Sequence, residues 1–269
     1  MLNTKTGCFI VNCFIYLFTI LTIFILIGIT TFLLLGSMDV YSIEFLISMI
    51  PASLNTIFLL VIAILIATPI SIMSAIHLEF YAKQTKFINF IKFSIDCLSG
   101  IPSIIFGLFG LSFFAYFIGL PKSILSGALT VAIVVVPIII KNTQEAIKAV
   151  NEDYIQGSFA LGASRFDTVK KIIIPESIDG IITGVILSIG RIIGETAAIL
   201  FVAGTVDKVA SSLFSPGVTL SNKLLLIIQE PTYSKLGISE AYAIALILII
   251  VVVILNMIIK YVKYRFKKV

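Results

Sequence analysis

Apolar residues run through this chain in long blocks, with polar residues gathered between them. Six blocks stand out, at about 9–35, 54–78, 93–118, 124–140, 178–203 and 241–259. A helix of ~20 residues, rising ~1.5 Å per residue, crosses the ~30 Å hydrocarbon core of a bilayer. Each block therefore predicts one transmembrane helix, and the chain reads as an all-α membrane protein with six transmembrane helices. The first block is too long for a secretory core and has no small-residue cleavage site after it, so it reads as a retained anchor. Two connections exceed what simple reversal needs, and loops of that length usually carry function. Segment 141–177 is mostly polar, with a helical centre and a stop expected at Pro175. Segment 204–240 has Ser-Ser, Pro-Gly and Gly punctuation around a short apolar stretch. Neither is large enough to fold alone, so residues 1–269 read as one membrane domain.

Composition excludes the alternatives. Apolar residues make up 59% of the chain and charged residues 12%, with a mean hydropathy of +1.16. Soluble domains carry roughly 25% charge, and a disordered chain could not leave this much apolar surface in water. The net charge of +5 is no nucleic-acid signature, because in a membrane protein the placement of the positive charges matters. Fourteen of the nineteen Lys and Arg fall on one side: Lys5, the 83–92 segment, the 141–171 segment and the 260–268 tail. Lys122, Lys208, Lys223 and Lys235 fall on the other. The positive-inside rule then places both termini in the cytoplasm. Cys8, Cys13 and Cys97 lie in or beside apolar runs with no metal or disulfide spacing.

Enzyme chemistry is nearly absent. There is no Gly-Lys dipeptide and hence no Walker A loop, and no nucleophile elbow or zinc motif. The lone histidine, His77, reads as a polar anchor near the end of the second block. The distinctive chemistry is intramembrane. Arg191 and Glu195 lie four apart inside the fifth block, one above the other on an expected helix face that Gly184 and Ser188 continue. Arg191 falls at mid-block, ~20 Å from the cytoplasmic end, too deep to snorkel out. A charge there costs ~2.5–3.5 kcal/mol on insertion scales, so it must face protein, water or a counter-ion. Two readings stand: a structural Arg191–Glu195 ion pair, or an anion site on a transport path, since a guanidinium grips oxyanions bidentately. Thr196 is a further candidate whose hydroxyl meets substrate or bonds back to a carbonyl. Gly190 with Gly194 and Gly180 with Gly184 form small-residue ridges for close helix approach. In the third block Pro102, with Gly107 and Gly110, marks either a kink or a gate hinge. Lys92 and Asp96 read as a surface pair on one helix.

From Gln156 to Pro175 the chain reads Q-G-S-F-A-L-G-A-S-R-F-D-T-V-K-K-I-I-I-P. This resembles the cytoplasmic loop of ABC importer permeases, whose pattern is E-A-A, three residues, Gly, nine residues, then I-x-L-P. Gly162, Ile172, Ile174 and Pro175 hold that register, whereas Gln156, Gly157 and Ser158 replace E-A-A. The segment reads as a short amphipathic helix, a Gly turn and a second helical stretch closed by Pro175. Phe159, Ala160 and Phe166 offer apolar contact, and Arg165 and Asp167 a charged rim, for a groove in a separate ATPase. Residues 75–82, 100–110 and 190–197 are similar to matching stretches of phosphate permeases. Ala197 and Ala198 and the short amino-terminal lead favour the A-type subunit of the phosphate-specific ABC importer.

The resemblance implies the type I ABC importer permease fold and a multi-pass place in a bacterial cell membrane. It also implies several partners: a second homologous permease subunit, an ATPase dimer holding ATP and magnesium, an extracytoplasmic phosphate-binding protein, and membrane lipid. No cofactor or metal on this chain and no nucleic-acid partner are expected. In that scheme Gln156–Pro175 couples to the ATPase, while Arg191 and Glu195 contribute to the phosphate path. The alternatives are a permease for another oxyanion, a self-sufficient secondary anion transporter, and a membrane scaffold.

Overall fold

The computed structural model describes residues 4–230 and 237–266. Among these residues there are helices and no strands. In chain order they are α1 (Thr4–Gly36), α2 (Ile43–Ile76), α3 (Lys86–Gly100), α4 (Ser103–Gly110), α5 (Ile124–Lys148), α6 (Glu152–Ala160), α7 (Arg165–Thr168), α8 (Ile174–Gly194), α9 (Ala197–Leu200), α10 (Leu220–Gln229) and α11 (Ile238–Phe266). Wider π-helical turns extend α2 through His77–Tyr81, extend α4 through Leu111–Phe117, and join α7 to α8 through Val169–Ile173. Five of the helical segments are long and apolar enough to cross a membrane, and α3 with α4 makes a sixth if that bent pair is one span.

α5 is the central post. Buried residues occupy 67% of its most apolar window, against none of that of α1. α2 packs along it through a stripe of Leu59, Ala63, Ala67, Ser71 and Ala75, all essentially without solvent access. That spacing of four keeps one face on the partner, and the small side chains let the two backbones close up. Ser71 donates to the carbonyl of Val136 beside Pro137 (3.3 Å), which ties the helices together near α5's own proline. α8 lies on another side of α5, with Gly180 against Ala146 and Gly184 against Asn142. Leu59, Val131, Val135, Ile192, Ala198 and Ile199 form the main core where α2, α5, α8 and α9 meet. Phe32 meets Tyr242 edge-on at 5.4 Å, so the end of α1 adjoins the start of α11 and the two helices run antiparallel.

Three expectations change. The third apolar block is two helices, α3 and α4, bent by 101°. Ile101 is extended (φ −71°, ψ 133°), Pro102 precedes the first turn of α4, and so Pro102 restarts a helix instead of kinking one. Pro175 does not close a helix either. The chain is helical from Arg165 to Gly194, and the π turn just before Pro175, where Ile174 N–H donates to Val169 O, absorbs the proline ring and its missing N–H. Lys92 and Asp96 are not paired with each other. Lys92 reaches Glu79 at 3.0 Å and Lys148 reaches the same carboxylate at 3.4 Å, while Asp96 pairs with Lys141 at 2.9 Å. These bonds fasten α3 to the ends of α2 and α5.

Segment 204–230 is packed from Gly217 onward, and its exposed first half is tied to α2 by hydrogen bonds. Val218, Leu220 and Ile227 join Phe45, Met49, Ala52 and Ile244 in a second core between α2, α10 and α11. Asn55, fully buried on α2, donates to the carbonyls of Lys208 (2.9 Å) and Val218 (3.1 Å) and accepts from Ala210 N–H (2.9 Å). Buried backbone groups left without partners cost ~1–3 kcal/mol each. Asn55→Ala is therefore expected to destabilise this segment by about 3 kcal/mol, read as faster proteolysis between residues 204 and 219 in detergent. Unchanged protection would show that the segment is held by other contacts. Lys223 of α10 is also buried, bonded to Asp207 (2.7 Å) and to the carbonyl of Ser48 (2.9 Å).

Candidate functional site

Arg191 stands in the last turn of α8, where a cation complements the carbonyl end of the helix. Its side chain is exposed and makes no ion pair or hydrogen bond among the described residues. Leu187, Gly190, Arg191 and Gly194 recur at helical spacing. Gly190 and Gly194 have no neighbour near the position a Cβ would take, so the stripe is open along its length. The α5–α8 register sets its depth. Seven residues on from the Gly184–Asn142 contact, Arg191 comes level with about Val135, and Val135 lies ~17 Å along α5 from its start at Ile124. A permanent cation is thus presented on an open stripe, deep along an apolar bundle.

The expected Arg191–Glu195 face does not form. α8 ends at Gly194, and Glu195 is extended (φ −72°, ψ 125°). Its side chain is buried, and its carboxylate accepts from Ala198 N–H (3.3 Å), capping α9. Its carbonyl accepts from the Ser221 hydroxyl (2.8 Å), pinning the break to α10. Glu195 is thereby a joint between α8, α9 and α10. Ser188 is fully buried with its hydroxyl returned to the Gly184 carbonyl (2.9 Å), so that hydroxyl is already bonded within α8. Thr196 is half-buried at the break, its hydroxyl 3.3 Å from the Gly194 carbonyl. Gly107 abuts the backbone of Ala197 and Ala198, at 3.0 Å from the Cα of Ala198 for an added Cβ, and Gly110 abuts Thr130. Both permit close approach of α4 to the helices behind Arg191. Pro102 lies at the bend one turn earlier.

The second candidate region is the turn between α6 and α7. Asn151 caps α6 through Asp153 N–H (2.9 Å), and Ser164 caps α7 through Asp167 N–H (3.1 Å). Gly162 reverses the chain with φ +81°, a conformation open to glycine. The hydroxyls of Ser158 and Thr168 meet at 2.9 Å inside the hairpin. Phe159 stacks on Phe80 at 6.3 Å, anchoring α6 to the end of α2. Gln156, Gly157, Ala160, Arg165 and Phe166 are exposed, and Pro175 lies farther along the continuous α7–α8 helix. Phe159 therefore has one ring face on this chain's own bundle, although it stays 38% exposed. The most exposed apolar side chain of this hairpin is Leu161, 90% exposed at the tip, ahead of Phe166 at 68%. Sequence reasoning missed it, although an apolar residue immediately before a turn glycine in a polar segment was a usable signal.

An all-helical bundle of apolar spans, interrupted by an ordered helical hairpin, is the architecture of a multi-pass membrane protein. A family model for the binding-protein-dependent transport system inner membrane component matches residues 67–268, and the chain belongs to that family. A chain in a crystal structure of a bacterial alginate ABC transporter, in complex with an alginate pentasaccharide-bound periplasmic protein, is similar with a TM-score of 0.72, covering 97% of this chain and 96% of that one. A chain of the inward-facing MetNI methionine ABC transporter gives 0.68, over 84% and 99%. At 13% identity both establish the fold alone. The probable ABC transporter permease protein YqgI of Bacillus subtilis is 41% identical over 150 residues, 56% of this chain and 51% of that protein. The phosphate transport system permease protein PstA homolog of Mycoplasma pneumoniae is 39% identical over 179 residues, 64% of this chain and 28% of its own length. PstA 1 of Mycobacterium tuberculosis is 29% identical over 196 residues, 73% and 64%. The chain thus spans about half the Bacillus relative and about a quarter of the Mycoplasma one.

Proposed function

We propose that this chain is one of two homologous permease subunits in an ATP-driven importer of inorganic phosphate. The observation that carries this reading is the open Arg191 stripe. A guanidinium deep on an unpaired helix face needs a polar counterpart, and a tetrahedral oxyanion crossing between two permeases supplies it. The permeases named for phosphate transport among the relatives support that substrate. A partner permease meeting the Gly190–Gly194 stripe would enclose the guanidinium in a water-lined seam, and the α6–α7 turn would seat in a separate ATPase. An extracytoplasmic binding protein would deliver phosphate at the opposite end. Closure of the ATPase would move the turn, and the continuous helix from Arg165 to Gly194 would carry that displacement to Arg191 without a flexible joint. Reconstitution into vesicles tests the proposal. Phosphate uptake is expected only with the second permease, the ATPase, the binding protein and ATP together. Uptake by this chain alone, driven by an ion gradient, would overturn it.

A further inference from the structure

α3 is built inside out for a helix in water. Phe87, Phe90 and Phe93, one helical stripe, are 69%, 64% and 63% exposed, while Lys92 turns inward to the buried Glu79. Behind that stripe lies an apolar groove of ~720 Å³ lined by Met73, His77, Tyr81, Ile91, Ile95 and Phe166, among others. It therefore runs between the end of α2, α3, α5 and the coupling segment. Three cations lie close in the chain to its lining residues: Lys83 follows Tyr81 by two residues, Lys86 begins α3 five residues before Ile91, and Lys170 adjoins Val169. All three are exposed and have no ion-pair partner among the described residues.

We infer that this groove holds an acyl chain of an anionic phospholipid from the cytoplasmic leaflet, with its headgroup phosphate among Lys83, Lys86 and Lys170. An outward phenylalanine stripe matches hydrocarbon, and an apolar slot at the same level accepts one chain of a lipid. Exposed ammonium groups beside the slot select a negative headgroup. A protein partner would instead meet three unpaired lysines beside a row of phenylalanines, and would have to supply both a matching apolar ridge and three acids. Because Phe166 and Val169 form one wall, a bound lipid would brace the base of α7 against α3. The inference is independent of the transported substrate.

Native mass spectrometry of the purified full chain, titrated with phosphatidylglycerol or phosphatidylcholine carrying identical acyl chains, tests it. Phosphatidylglycerol is expected to be retained on the order of tenfold more strongly. The triple variant Lys83→Gln, Lys86→Gln, Lys170→Gln is expected to lose that preference while keeping residual binding of both lipids. Ile91→Trp, which fills the slot, is expected to reduce both with unchanged elution in gel filtration. Equal retention of the two lipids, or a preference surviving the triple variant, would overturn the inference. So would a cysteine replacing Phe90 that cross-links to another protein chain in the assembled membrane complex.

Discussion

Arg191→Ala is expected to lower phosphate uptake by the reconstituted complex about 100-fold while leaving assembly intact. The magnitude follows from removing one side of a charge-assisted, largely desolvated contact. Such truncations cost about 2–5 kcal/mol, and ~2.7 kcal/mol corresponds to two decades. Assembly survives because the guanidinium makes no bond within the described chain, so its loss orphans no partner here. Arg191→Lys is expected to fall between the two, since an ammonium keeps the charge and loses the fork. Radiolabelled phosphate uptake, with co-purification of the subunits as the control, reads both. Near-normal uptake by Arg191→Ala would remove the guanidinium from the path.

Leu161→Asp is expected to detach the ATPase. Leu161 is the most exposed apolar side chain on the α6–α7 turn, and burying a leucine is worth about 1.5–3 kcal/mol. Replacing it with a carboxylate adds the cost of desolvating a charge in the same place. Association should therefore weaken by on the order of 100-fold. The hairpin should keep its shape, because the Gly162 turn, the Ser164 cap and the Ser158–Thr168 bond do not involve Leu161. Pull-down of the ATPase by the detergent-solubilised permease measures this. Phe159→Asp is the informative contrast: it would remove the stack on Phe80 and loosen the hairpin from the end of α2, whereas Leu161→Asp removes docking alone. Undiminished pull-down by Leu161→Asp would place the docking surface elsewhere.

Helices were legible wherever a run of apolar residues sufficed to place them, and less so where polar atoms decided the geometry. α5 extends eight residues past its apolar run to Lys148, because Lys141 and Lys148 find carboxylates on α3 and α2. The bend at Ile101–Pro102 has a readable local cause in the proline, but the mostly apolar run from residue 93 to 118 masked it. The end of α8 at Gly194 had no local cause beyond a glycine. Glu195 stops the helix because its carboxylate caps α9 and its carbonyl is claimed by Ser221, 26 residues onward. The i, i+4 spacing of Arg191 and Glu195 suggested a pair, and tertiary bonds to Glu195 pulled them apart. Pro175 misled in the opposite direction, since a π turn tolerates it within one helix. The Gly162 register, by contrast, was fully readable, because only glycine settles at φ +81° without strain.

The sharpest test is labelling of a single cysteine replacing Leu187, one turn from Arg191 on the open stripe, with Arg191 kept and with Cys8, Cys13 and Cys97 changed to alanine, in the reconstituted complex. A small cationic thiol reagent added from water should modify this cysteine, and millimolar phosphate should slow that reaction while chloride at the same ionic strength should not. Modification only by membrane-dissolved reagents, at a rate indifferent to phosphate, would mean that the open stripe of α8 faces lipid and that no oxyanion passes it.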